Sequence, residues 1–270
     1  MWMMMPRGRL RKRLCMGLLI VFPLLCGLFV PGCIANKMIF VPPPATYRDG
    51  GEVLKLTTDD GARISALYLR NPAAEYTILF SHGNACDLGG MVPFLERMRA
   101  AGFSVMAYDY HGYGTSAGRP TERNTYRDID GAWRYLVSER KTPPEKIILH
   151  GQSVGAGPSV DLATRENAGG LVMESGFVSA YRVMTRWPLI PFDKFNNLRK
   201  IGKVNCPVMI IHGTADGIIP PWHGQKLYDR AAEPKRAIWV KGAGHNNLAH
   251  VAGEGYWEQL RRFAAGQPPS

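Results

Sequence analysis

From residue 53 onward, hydrophobic positions fall into short unbroken runs, separated by longer stretches in which they recur every three or four residues. Residues 53–57 and 64–69 bracket Asp59-Asp60-Gly61, a turn-forming triplet that predicts a β-hairpin. Six further runs follow, at 77–80, 104–108, 147–150, 171–173, 208–211 and 237–240. They do not alternate with polar residues, which is the pattern of strands covered on both faces in a parallel sheet. Helical periodicity fills the intervals, at 91–101, 125–139, 155–165, 224–232 and 255–263. Strand alternating with helix predicts an α/β fold: a mostly parallel, doubly wound sheet with an antiparallel hairpin at its start. About 30 residues, 176–205, separate the 171–173 run from the next, room for a short cap but no large lid.

Ahead of the hairpin the pattern changes. Arg7, Arg9, Arg11, Lys12 and Arg13 precede residues 14–30, a stretch of 17 without a charge, and Pro31-Gly32-Cys33 follows. A basic segment leading into an apolar one is the layout of a secretory signal. Its length also reaches the bottom of the range for crossing a bilayer. The ending Val30-Pro31-Gly32-Cys33 resembles a bacterial lipobox, in which cleavage before the cysteine lets its thiol carry diacylglycerol, although Pro31 departs from that pattern. Three readings stay open: a lipoprotein with Cys33 as the lipidation site, an uncleaved single-pass anchor, and ordinary secretion. Each places the protein at or beyond a membrane. The expected organisation is a leader or anchor over 1–32, a tether over 33–50 stiffened by Val41-Pro42-Pro43-Pro44, and one catalytic domain over 51–266.

Charge then needs reinterpretation. The 270 residues carry 33 Lys+Arg against 22 Asp+Glu, a net +11 that on its face suggests a nucleic-acid or anionic-membrane partner. Setting residues 1–32 aside removes five positive charges and no negative ones, so +11 becomes +6. No zinc spacing, basic heptad or aromatic RNA-binding pattern is present, so nucleic acid is not expected as a partner. Of five cysteines only Cys86 and Cys206 lie in the body, too few for a disulfide framework or a metal cluster. Cys206 reads as a small buried hydrophobe. No metal and no cofactor is expected.

In a doubly wound sheet, function concentrates where strands end at their carboxyl side. After the 147–150 run stands Gly151-Gln152-Ser153-Val154-Gly155, a G-x-S-x-G motif between a strand and a helix. The turn is too tight for side chains beside the serine, and it lifts the Ser153 hydroxyl clear of the sheet. A serine hydroxyl attacks only when a base removes its proton. In this arrangement an acid and then a histidine follow in chain order. Asp216 lies 63 residues on, after the 208–211 run, and His245 a further 29, after the 237–240 run. His245 is the expected base and Asp216 the group that orients it. Glu174, after the 171–173 run, is the competing acid and reads better as a structural carboxylate. Asp109 reads as pinning its loop, and His82 as supporting one. The oxyanion donors are expected to be the backbone N–H groups of Asn84, in Ser81-His82-Gly83-Asn84-Ala85, and Val154. Cys86 stands two residues from Asn84 and reads either as a modifiable thiol near the site or, better, as packing.

Together these motifs resemble the serine hydrolases of the α/β-hydrolase superfamily. Residues 81–85 with Asp87-Leu88-Gly89, GQSVGAGPSVDLATR at 151–165, CPVMIIHGTAD at 206–216 and KGAGHN at 241–246 narrow the likeness. So does IANKMIFVPPPATY at 34–47. They are similar to the membrane-tethered protein depalmitoylases of the α/β-hydrolase domain 17 type, over about residues 33–265. The resemblance implies a Ser153, Asp216 and His245 triad and hydrolysis of acyl esters or thioesters, small or carried on a protein. It departs at His111, where the family has Arg, and at the anchor, which in the family is a cluster of palmitoylated cysteines. The palmitoyl-protein substrate is therefore not carried over. A serine peptidase of the same fold would need an acidic pocket for an amine, and no acidic cluster besides Glu174 is visible. A non-catalytic interaction module would have no need of an intact triad. The run Trp187, Pro188, Leu189, Ile190, Pro191 and Phe192 is read either as an acyl groove or as packing of the short cap.

Overall fold

Each hydrophobic run becomes a strand in the computed structural model, which describes residues 36–37, 39–185 and 193–268. The strands are β1 (Leu54–Thr57), β2 (Arg63–Leu69), β3 (Thr77–Ser81), β4 (Ser104–Tyr108), β5 (Ile147–Gln152), β6 (Gly170–Glu174), β7 (Val208–Gly213) and β8 (Lys235–Val240). They form one eight-stranded sheet in the order β1-β2-β4-β3-β5-β6-β7-β8. β2 runs antiparallel to β1 and to β4, and every other pairing is parallel. All residues of β3, β4, β6 and β7 are buried, which is why these strands read as continuous apolar runs. The hairpin, the parallel sheet and the α/β class are those predicted.

Helices cover both faces: α1 (Leu88–Ala100), α2 (Glu122–Arg134), α3 (Ala156–Ala163), α4 (Ala180–Met184), α5 (Asn197–Ile201), α6 (Trp222–Arg230), α7 (Leu248–Ala252) and α8 (Glu254–Ala264). On one face, Leu95 and Met98 of α1 and Trp257, Leu260 and Phe263 of α8 join Ile78, Phe80, Val105, Ile148, Val172, Met209 and Ile211 in one core. The intervening strand residues Leu79, Met106, Leu149, Met173 and Ile210 point the other way by the period of a strand, and are equally buried. α3 packs there on β5 and β6 and against α2. Each such side chain contributes roughly 1.5–3 kcal/mol by leaving water.

Sheet order places the site. From β3 the chain adds β4 on one side, then crosses to add β5 on the other. Loops leaving the carboxyl ends of β3 and β5 diverge at that point and open the crevice in which open α/β sheets bind ligands. Residues 82–87 leave β3 there, and Ser153 leaves β5.

Element ends differ from the sequence reading where a cap decides them. α1 begins at Leu88 because Asp87 accepts the Gly90 N–H, and α2 at Glu122 because Thr121 accepts that of Asn124. Past Arg134 the helical run widens into a π-helical turn, Tyr135–Glu139. A larger difference concerns the tether. The chain divides into Met1–Ile39 and Phe40–Ser270, so from Phe40 on the expected spacer belongs to the body. Phe40 is buried edge-to-face on Phe195, ring centres 5.9 Å apart. Thr46 N–H and O–H donate to the two Asp87 oxygens at 2.7 and 2.6 Å, and Tyr47 O–H donates to Asp109. A proline-rich segment shows no side-chain period, yet its polar groups find distant partners. Residues 1–35, with Cys33, and 187–192, the apolar run of the cap, lie outside the described residues. Among the described residues no helix is long and apolar enough to cross a membrane.

Candidate active site

β5 passes directly into a 3-10 turn, Ser153–Gly155, and then α3. Ser153 has φ of +52°, in the left-handed region, which costs a residue with a side chain about 1–2 kcal/mol. That conformation is held by closeness on both sides. A Cβ on Gly151 would lie 2.4 Å from Gly155 O, and one on Gly155 only 2.0 Å from Ser81 O. Both obstacles are main chain, so neither yields cheaply. Gly155→Ala is expected to destabilise the fold by about 3 kcal/mol, the upper end of ordinary overpacking, read as a lower urea midpoint. An unchanged midpoint would mean that the turn can move off β3.

Two loops bring partners to the serine. Ser153 Oγ lies 3.0 Å from His245 Nε2, and His245 Nδ1 lies 2.8 Å from Asp216 Oδ2. The other Asp216 oxygen accepts the N–H groups of Ile218 and Ile219 at 2.9 and 2.8 Å. Burial pushes this carboxyl up, but the hydrogen bonds from His245, Ile219 and Ile218 outweigh it and hold it below the usual carboxylate range. It is therefore ionised where His245 needs it. Behind it, His212 donates from Nε2 to Ile219 O at 2.8 Å, and burial holds its pKa down. His245 is fixed through its backbone as well, since Ser175 O–H donates to His245 O at 3.2 Å. The three residues singled out by spacing thus meet at the carboxyl ends of β5, β7 and β8.

Residues 72–197 match the family model described as serine aminopeptidase, S33. Alpha/beta hydrolase domain-containing protein 17B of Homo sapiens is 38% identical, over 90% of this chain and 96% of its own length. The chain belongs to the α/β-hydrolase domain-containing protein 17 family. A Caenorhabditis elegans member, aho-3, is 40% identical over 88% of this chain and 81% of its own length. Among solved structures, the Pyrococcus furiosus esterase Pf2001 superposes with a TM-score of 0.70 at 20% identity, over 84% of this chain and 99% of that one. A Mycobacterium tuberculosis puromycin-hydrolyzing peptidase gives 0.62 at 17%, over 80% and 39%. These two likenesses are of fold. The chain is a serine hydrolase of the α/β-hydrolase fold.

Other charged residues near this hydrolase's site have their own duties. Glu174 is buried, and its oxygens accept from His150 Nε2 and Gln152 Nε2, both at 3.0 Å, and from Tyr256 O–H. Burial raises it, but these bonds hold it below its ordinary value. Asp109 accepts the Leu88 N–H at 3.0 Å and the Tyr47 O–H, and sits 3.1 Å from His82 Nε2. His82 in turn donates from Nδ1 to Gly83 O at 2.7 Å. Burial opposes charge on that ring, but Asp109 and Cys86 raise it to about 10. His111 pairs through Nδ1 with Asp128 and donates its backbone N–H to the same carboxylate at 3.0 Å.

Val154 follows Ser153 in the turn, and the Asn84 loop stands beside it: a Cβ on Gly83 would lie 3.6 Å from Ser153 Cβ. How Asn84 is held was not legible from its neighbours. Its side-chain oxygen accepts from the Ala85 N–H at 3.0 Å, the Tyr113 O–H at 2.6 Å and the Val41 N–H at 3.0 Å. The only sequence signal was a crowd of polar aromatics at 108–113. Of the two thiols among the described residues, Cys86 is half-buried and donates to Gly83 O at 3.1 Å, whereas burial pushes Cys206 up to about 12. Peptide mapping after brief iodoacetamide treatment of the folded chain should therefore find Cys86 alkylated and Cys206 intact. Modification at Cys206 first would contradict its burial.

Proposed function

We propose that this hydrolase cleaves acyl esters or thioesters through a covalent acyl-serine, while held at a membrane by its N-terminal segment. The observation that carries the reading is the continuous relay from Ser153 Oγ through His245 to Asp216, at 3.0 and 2.8 Å, on a serine in a left-handed turn. Ser153 Oγ attacks the acyl carbonyl as His245 Nε2 takes its proton, and Asp216 stabilises the imidazolium. Charge on the tetrahedral oxygen meets the N–H groups of Asn84 and Val154, each such donor worth about 2.7–4 kcal/mol. His245 returns the proton to the departing alkoxide or thiolate. Water, deprotonated by the same ring, then releases the acid and restores the serine.

A short cap favours an open site that takes medium acyl chains or an acyl group on a large carrier. A panel of p-nitrophenyl esters from acetate to palmitate, one acyl thioester and one aminoacyl anilide tests this. Turnover of butyrate and longer esters supports the reading, and turnover of the anilide alone would favour the peptidase that the matched family model's description evokes. For the latter, Glu174 offers no amine anchor, because both its oxygens are already engaged by His150, Gln152 and Tyr256. The proposed division is a leader or anchor at 1–32 with Cys33 as the lipid attachment point, a tether, and the catalytic body. Radiolabelled fatty acid that is incorporated into the parent and lost in Cys33→Ser would support the lipoprotein form. Equal incorporation in both would exclude Cys33.

A further inference from the structure

The loop that carries Asn84 is fastened by groups from outside it. Val41 N–H lies 3.0 Å from Asn84 Oδ1 and 3.2 Å from Tyr113 Oη, while the Tyr113 O–H donates to Asn84 Oδ1 at 2.6 Å. Two donors from two other segments thus meet on one carboxamide oxygen and bond to each other. Tyr113 is buried, and burial raises the pKa of its hydroxyl, which keeps it a donor. Its ring is held in turn, 5.4 Å from Tyr110 and 5.7 Å from His82, and Tyr110 O–H donates to His82 O at 2.6 Å. A few residues past Val41, Thr46 grips the far end of the same loop through Asp87. One stretch of chain, 41–46, therefore clamps the loop at both 84 and 87.

We infer that Tyr113 and the segment 41–46 position the Asn84 peptide N–H for reaction, making Tyr113 a positioning residue that never touches substrate. This rests on the reading of Asn84 as an oxyanion donor given above. A donor helps only within about 2.7–3.1 Å of the oxygen on which charge develops. A loop free to rock by a fraction of that distance loses stabilisation in the transition state while binding substrate as before.

Tyr113→Phe in the full chain keeps the ring and deletes the hydroxyl. With p-nitrophenyl butyrate, kcat should fall about tenfold with KM within about twofold. Inhibition by butylboronic acid, whose serine adduct presents a tetrahedral oxyanion, should weaken by the same factor. Val41→Pro removes the second donor without a core side chain, since Val41 is 53% exposed, and should give the same split. The thermal midpoint of Tyr113→Phe separates positioning from damage. The inference is overturned if kcat and boronate affinity match the parent. It is also overturned if kcat falls only as far as folded protein is lost. A parent chain that neither turns over ester nor binds boronate overturns the hydrolytic reading, and this inference with it; an active parent silenced by Ser153→Ala leaves that reading standing whatever Tyr113→Phe does.

Discussion

Ser153→Ala is expected to lower kcat by on the order of 10⁶ and to abolish covalent labelling by a fluorophosphonate probe. No other hydroxyl takes over, because activation depends on the 3.0 Å contact with His245 Nε2. Folding should be preserved: alanine carries the same Cβ into the same left-handed φ of +52°, so the strain is unchanged. Ser153→Gly extends the test. Glycine adopts that φ without penalty, so this variant should be as inactive as the alanine one and melt no lower than the parent. The strain would then be a cost carried for activity, as strained backbone at reactive sites commonly is. Equal fluorophosphonate labelling of parent and Ser153→Ala would remove Ser153 from the mechanism.

Asp216→Asn should lower kcat by about 10⁴ with little change in KM. The carboxylate divides its work: Oδ1 takes two backbone N–H groups of its own loop, and Oδ2 faces His245 Nδ1 at 2.8 Å. An asparagine that keeps its oxygen on Ile218 and Ile219 turns its NH₂ toward the ring. His245 must then carry its proton on Nε2, where it cannot accept one from Ser153. The loop survives and the base is lost. Glu174→Gln provides the contrast, because it disturbs a network of His150, Gln152 and Tyr256 and should cost stability more than kcat. Loss of activity in Glu174→Gln with Asp216→Asn spared would exchange the two acids.

Much of this was legible in the residues. Strands covered on both faces must be apolar throughout, so β3, β4, β6 and β7 stood out as runs, and the loops after them delimited where chemistry could sit. The G-x-S-x-G turn was readable for a steric reason now visible: backbone at 2.0–2.4 Å from where Cβ atoms would be leaves glycine alone at 151 and 155. Strands extend one or two residues beyond the apolar runs, as at Gly151-Gln152 and His212-Gly213, where polar or small residues continue the ladder beside Glu174 and Val240. The start of α1 was hidden by Gly89-Gly90, which look like loop until Asp87 caps them. Least legible was the 40–47 stretch. Its ties to Asn84, Asp87 and Asp109 are one or two hydrogen bonds each, across 40 to 60 or so residues, and no local periodicity encodes such a pairing.

The clamp at Val41 also bears on how this protein comes into being. Val41 leaves the ribosome first, Tyr113 and Ser153 follow, and His245 is the last of the four to appear. No fragment shorter than 41–245 carries every group gathered around the crevice. A nascent chain therefore gathers Val41, Asn84, Tyr113 and Ser153 well before His245 can be set beside the serine.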